Sequence, residues 1–208
     1  MNRDPGLICF NHCKSDIFVF SVPKGCPECN ADLTTNTDIT PFSIPFPFTR
    51  ASQYPCSLVL RPTNGDFLRS YSNNADLHIG VTNSRGNIFS YDEHGLKEEP
   101  AKDWDECLSI QCNTTSSDFF EISWDSALNT CLQSENWVPE RYNEDSYNCY
   151  TFVLSFLTSL PMCHLNQFTC DRETFCEKVL IPVTLPAGKY ISLYRRVSQN
   201  SYFVKEKS

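Results

Sequence analysis

Tyr147-Asn148-Cys149-Tyr150-Thr151-Phe152-Val153-Leu154-Ser155-Phe156-Leu157 decides how the rest of this 208-residue chain is read. Cys149, Phe152, Val153, Phe156, Leu157 and Leu160 recur at i, i+3, i+4, i+7, i+8 and i+11, one continuous helical stripe that has to be buried. Asn143, Asp145 and Ser146 precede it as candidate N-caps and Pro161 stops it, so Cys149 falls in the first turn. There the unpaired backbone N–H groups and the positive end of the helix dipole favour thiolate over thiol. The same groups would hold an oxyanion forming beside the sulfur. A cysteine so placed is either a nucleophile or a small apolar core residue, since free cysteine is among the most buried residue types.

A nucleophilic thiol needs a base, and the nearest histidine of suitable context lies upstream. Asp76-Leu77-His78-Ile79-Gly80-Val81-Thr82 reads as a strand, Asn83-Ser84-Arg85-Gly86 as a turn, and Asn87-Ile88-Phe89-Ser90-Tyr91 as the returning strand. Alternation puts Leu77, Ile79 and Val81 on one face and His78, Gly80 and Thr82 on the other, with Gly80 leaving room for a close approach. In the catalytic reading Cys149 attacks a carbonyl, His78 shuttles the proton and the helix-start N–H groups hold the oxyanion. In the structural reading His78 is a hydrogen-bonded framework residue.

The N-terminal stretch carries a second kind of chemistry. Cys9-Phe10-Asn11-His12-Cys13 is followed by the strand-like Asp16-Ile17-Phe18-Val19-Phe20-Ser21-Val22 and then by Cys26-Pro27-Glu28-Cys29. The C-x-x-C turn aims two thiolates at one tetrahedral ion, and a Cys/His cluster at ribbon-like distance supplies the remaining ligands, which points to structural zinc. Cys13 contributes one of them and either His12 or Cys9 the other; neighbouring side chains diverge on a strand, which sets the adjacent pair His12 and Cys13 against Cys9 and Cys13. Residues 7–33 thus form a zinc-ribbon-like module. Residues 34–55, broken by Pro41, Pro45, Pro47 and Pro55, form an extended linker held to the body by Phe42, Phe46 and Phe48, and residues 56–208 form the main domain.

Within that domain, Ser57–Arg61 and Cys107–Cys112 read as strands, Asp92–Asp105 as a loop anchored by Trp104, and Ser117–Ser134 as a helix burying Phe120, Trp124, Leu128, Cys131 and Leu132. A short helix over Arg172–Val179 precedes strands near Lys189–Val197 and Ser201–Val204 that complete the sheet. Trp104, Trp124 and Trp137 read as core packing. The fold class is α+β.

A hydrophobic content of 40% and an aromatic content of 13% are those of a globular protein, and a net charge of −8 argues against nucleic acid or an anionic membrane as partner. No apolar run is of signal-peptide or membrane-span length, which places the chain inside the cell, in cytoplasm or nucleus. In that reducing setting the twelve cysteines read as metal ligands, core residues and reactive thiols rather than disulfides, and the Asn113-Thr114-Thr115 sequon is inert.

The order His78-Ile79-Gly80-Val81 then Asn148-Cys149-Tyr150-Thr151-Phe152 resembles the circularly permuted papain-like superfamily, which includes lecithin-retinol-acyltransferase-like, NlpC-type and PPPDE proteins. That resemblance implies an antiparallel sheet with packed helices and a cysteine-dependent hydrolase or acyltransferase acting on an acyl substrate. Acyltransferase-like members place an orienting polar residue about a dozen positions after the histidine. That position here is Ser90, with His94 or Asp92 as substitutes from the loop. Over the whole chain, His12-Cys13 through Phe20-Ser21-Val22-Pro23, Cys26-Pro27-Glu28-Cys29, Arg61-Pro62-Thr63, Asp76-Leu77-His78 and Arg141-Tyr142 through Tyr150 look like the makorin opposite-strand family. This resemblance implies an architecture and not a reaction, and leaves open a catalytically inactive scaffold that binds a protein partner.

Overall fold

A computed structural model describes residues 6–35, 39–72, 74–112 and 118–206. The elements are β1 (Ile8–His12), β2 (Ser15–Val19), β3 (Phe42–Ser43), β4 (Ser57–Pro62), β5 (Leu77–Thr82), β6 (Ile88–Asp92), β7 (Gly95–Glu99), β8 (Leu108–Gln111), α1 (Asp118–Leu132), α2 (Cys149–Thr158), α3 (Arg172–Phe175), α4 (Ile181–Asn200) and β9 (Tyr202–Glu206). The architecture is α+β, with two antiparallel sheets. The sequon and the Ser117 cap lie outside the described residues. The chain divides into two compact units, Phe48–Pro186 and Met1–Pro47 with Ala187–Ser208.

In the larger unit the strands order β7-β6-β5-β4-β8. Pairing Leu58 with Val81 and Leu60 with Ile79 lines aliphatic side chains along one face, and Tyr91 belongs to it because Ser90, its neighbour, pairs with Gly80. That face receives α2, α1 and the connector between them. Tyr91 stacks edge-on against Trp137 at 5.3 Å, Trp137 against Phe152 at 5.4 Å, and Trp124 of α1 against Phe156 at 4.7 Å. The Trp124 indole N–H donates to the Thr82 carbonyl at 2.8 Å, so α1 is fixed in register as well as buried. The opposite face, with Val59, Ile88 and Gly80, is covered by Trp104, Ala51 and Cys107.

Two expectations for this unit change. Part of the loop expected over Asp92–Asp105 is strand β7, paired with β6 from Asp92↔Gly95 to Ile88↔Glu99. It is an edge strand whose charged side chains erase the alternating signal, and it turns at Gly95, where φ is +91°. Of the helix α1 face, Phe120, Trp124 and Leu128 are buried, whereas Leu132 is 37% exposed at the frayed end. Among the candidate caps, none of Asn143, Asp145 or Ser146 caps α2: Asn148 does, accepting from the Tyr150 N–H at 3.0 Å while Thr151 Oγ1 accepts from the Asn148 N–H at 3.3 Å.

The smaller unit is a sheet in the order β3-β1-β2-β9. One face, with Phe10, Ile17 and Val19, packs on Cys26 and Leu33. The other carries Phe18, stacked on Phe203 at 6.1 Å, while Phe20 meets Tyr194 of α4 at 5.1 Å. The segment expected as a strand over Lys189–Val197 is helical, because Ala187, Tyr190, Ile191, Tyr194 and Val197 fall on one 3.6-residue stripe and all are buried. Strand β9 does form, but it pairs with β2 and not with the sheet of the larger unit. No helix of the described residues is long and apolar enough to cross a membrane.

Candidate functional site

His12, Cys13, Cys26 and Cys29 bring one ligand atom each to within 4.8 Å of all the others. Adjacent His12 and Cys13 converge because the strand ends between them. Cys13 and Lys14 both take positive φ, +52° and +63°, in the tight turn joining β1 to β2, which swings the Cys13 sulfur to 3.1 Å from His12 Nδ1. Cys26 and Cys29 come from a second small turn, closed by Asn30 N–H to Cys26 O at 2.9 Å and Cys26 N–H to Ala31 O at 2.9 Å. Cys9, the alternative ligand, sits in β1 opposite Phe18 on the far side of the sheet and is not part of the cluster.

The donor set fits a tetrahedral ion. Metal–sulfur bonds of about 2.3 Å at tetrahedral angles separate two ligand sulfurs by roughly 3.8 Å. Cys13 and Cys26 sulfurs are 3.9 Å apart and Cys29 sulfur lies 3.7 Å from His12 Nδ1. The Glu28 N–H points at the Cys26 sulfur at 3.4 Å, an outer contact that offsets negative charge on a metal-bound thiolate. Cys13, donating to Cys29, is held protonated with its pKa pushed up to about 12, whereas Cys29, accepting from the Ala31 N–H and from Cys13, is pulled down. A divalent ion would take the place of the shared protons. Three sulfurs and one imidazole are the donors zinc accepts in closed structural sites.

Cys149 opens α2 as expected, and it is 6% exposed. Burial raises its thiol pKa, opposed by the backbone N–H groups of Ile79 and Tyr150, then the Arg172 guanidinium and its own N–H. The sulfur therefore lies by the β5 backbone at Ile79. The His78 side chain alternates with that of Ile79 and shares its face with Gly80, where Trp104 packs. His78 pairs with Arg61, and its ring lies 5.9 Å from the Trp104 ring, over which the Arg61 guanidinium also sits at 5.1 Å. Burial first, and the Arg61 charge second, lower the His78 pKa to about 4. Among the described residues no hydrogen bond joins His78 to Cys149.

The candidate orienting residues are engaged elsewhere. Ser90 Oγ donates to Glu99 at 2.9 Å, Asp92 accepts from Lys97 Nζ at 2.7 Å, and His94 is an exposed turn residue whose N–H caps Asp92 at 2.8 Å. Asp92 reaches His78 only as a charge that partly offsets Arg61. Sequence reasoning missed Arg61 and Trp104 as the neighbours of His78. The like-face pairing of β4 with β5 was the signal that could have found Arg61. A polar cavity of about 240 Å³ lies elsewhere in this unit, lined by Asn83, Arg85, Asn87, Asp125 and Asn129 together with Phe89 and Leu128.

The family model described as DUF4796 C-terminal matches residues 41–197, and the one described as DUF4796 N-terminal matches residues 5–33. Human "MKRN2 opposite strand protein" is 38% identical over 201 residues, spanning 96% of this chain and 89% of that protein. No solved structure matches.

Proposed function

The chain belongs to the makorin opposite-strand family, and from that membership we propose that it is a catalytically silent, papain-like scaffold that binds another protein and keeps its N-terminal unit in shape with one structural zinc. The observation that supports this reading is that, among the described residues, no hydrogen bond joins the Cys149 sulfur to the His78 imidazole, whose neighbours are Trp104 and Arg61. A thiol nucleophile is activated by a base within hydrogen-bond reach, whereas here Cys149 is buried and protonated and His78 is buried and neutral. The remaining features suit a scaffold. Phe119 and Ile122, on α1, leave 64% and 68% of large apolar side chains in solvent, flanked by Asp118 and Glu121, a surface that complements an apolar patch with a basic rim. Twelve free cysteines suit a reducing compartment, cytoplasm or nucleus.

A thiol-reactive acyl probe tests the silent-site reading. Wild type and Cys149→Ala are expected to show equal, slow acylation and no turnover of activated esters or thioesters. Stoichiometric acylation at Cys149, lost in the variant, would replace the scaffold reading with a hydrolase or acyltransferase.

A further inference from the structure

The polar cavity of about 240 Å³ is walled by side chains that belong to neither the metal cluster nor the Cys149 neighbourhood. The turn after β5 contributes Asn83, Arg85 and Asn87; α1 contributes Asp125, Leu128 and Asn129, which share one helical face at i, i+3 and i+4. Turn and helix are fastened together at Asp125, which accepts from the Ser84 N–H at 2.9 Å and from Ser84 Oγ at 2.5 Å. Those bonds orient the carboxylate and use two of its roughly four lone-pair sites, leaving the others for a ligand.

Neighbouring polar groups are oriented in the same way. Asn83 Oδ1 accepts from the Arg85 and Asn87 N–H groups, each at 2.9 Å, so its side-chain NH2 is the group left to donate. Asn87 Nδ2 donates to Glu98 at 2.9 Å, which leaves the Asn87 side-chain oxygen as an acceptor. Among the described residues, the Arg85 guanidinium and the Asn129 side-chain amide have no partner, and no ion pair joins Arg85 to Asp125. Phe89 and Leu128, 7% and 2% exposed, add apolar surface.

We propose that this cavity is a binding site for a free α-amino acid, its carboxylate held by Arg85 and Asn83 and its ammonium by Asp125 and Asn87. Charge selects this class. A simple anion would meet the Asp125 carboxylate and a simple cation the Arg85 guanidinium, whereas a zwitterion satisfies both. A polypeptide terminus carries one of the two charges and not the other. The guanidinium fork matches a carboxylate bidentately, and the three ammonium donors suit an oriented carboxylate and an amide oxygen. Volume limits the size: the cavity is smaller than the roughly 300–1,000 Å³ that take drug-sized ligands, so its occupant is compact. Phe89 and Leu128 suit a short aliphatic side chain on that ligand. The site stands on its own residues and does not depend on the scaffold reading.

The test follows L-valine and L-leucine binding to the zinc-loaded full chain by calorimetry and saturation-transfer NMR at low salt. One molecule bound per chain is the expected result. N-acetylation, which removes the ammonium, and methyl esterification, which removes the carboxylate charge, should each weaken binding at least about tenfold. Arg85 is exposed, so Arg85→Gln should keep the wild-type unfolding midpoint while weakening binding by a similar factor. Asp125→Asn should lose the preference for leucine over N-acetylleucine, and Arg85→Gln alone decides the matter if that variant fails to fold. No saturable binding at millimolar probe, acetate binding as tightly as the amino acids, or an affinity unchanged in Arg85→Gln would overturn the proposal.

Discussion

His78 lies 5.9 Å from Trp104, ring to ring, and the Arg61 guanidinium, from the strand position paired with His78, sits over the same indole at 5.1 Å. In the scaffold reading proposed above, Cys149 and His78 each have a structural part. Cys149 seats the first turn of α2 against the strand, and His78 fills a place beside a guanidinium that only a neutral ring tolerates.

The first consequence is a pH dependence of stability. His78 titrates near 6.5 when unfolded and near 4 when folded, so below the unfolded value the unfolded chain binds the additional proton. Its contribution is complete above about pH 6.5 and is lost as the pH falls through 4, an effect of up to about 3 kcal/mol. Arg61 on β4 and Asp92, Glu93 and Lys97 on the β6–β7 hairpin set the field it feels. Denaturant unfolding of His78→Gln between pH 7 and 4 should be flatter than wild type by about one proton.

Gly80 enforces the approach of Trp104. A Cβ there would lie 2.8 Å from the Phe89 carbonyl oxygen and 3.2 Å from the Trp104 ring, contacts that cannot be relieved without moving backbone. Gly80→Ala should destabilise by about 1–3 kcal/mol, read as a lower urea midpoint.

The α2 stripe and the exposed face of α1 should behave oppositely. Phe152 is fully enclosed and touches Trp137, so Phe152→Ala should cost about 3–5 kcal/mol. The double variant Phe119→Ser, Ile122→Ser removes side chains that are mostly in water and should stay within about 1 kcal/mol of wild type in total while losing proteins that co-purify with it.

Metal content should follow the four converging donors. One zinc per chain is expected in wild type and Cys9→Ser, and none in Cys26→Ser or Cys29→Ser. A chelator should lower the unfolding temperature of the N-terminal unit, and zinc should restore it.

How much of this was legible in the sequence differs from element to element. The α2 stripe and the β5–β6 hairpin were readable because both are buried on a regular period. Strand β7 was not, since Lys97, Glu98 and Glu99 on an edge follow charge and not hydrophobicity. Lys189–Val197 reads as a strand because Tyr190, Ile191 and Tyr194 are strand-favouring residues, but their 3.6-residue spacing is the stronger signal and the segment lies within helix α4. At the metal cluster the two cysteines of the knuckle were plain. His12 against Cys9 depended on a left-handed turn at Cys13 and Lys14, conformations that side-chain chemistry alone does not announce. The alternation of β5 already placed His78 away from Ile79 and Val81; what it lacked was the face on which α2 would pack.

The most direct measurement of the central claim is the alkylation rate of Cys149 as a function of pH, read from its own peptide by mass spectrometry in wild type and His78→Gln. The rate should rise only at alkaline pH, as a buried thiol with a raised pKa requires, and the profile should be unchanged in the variant. A rate plateau between pH 5 and 8 that His78→Gln abolishes would be the signature of a thiolate–imidazolium pair and would contradict it.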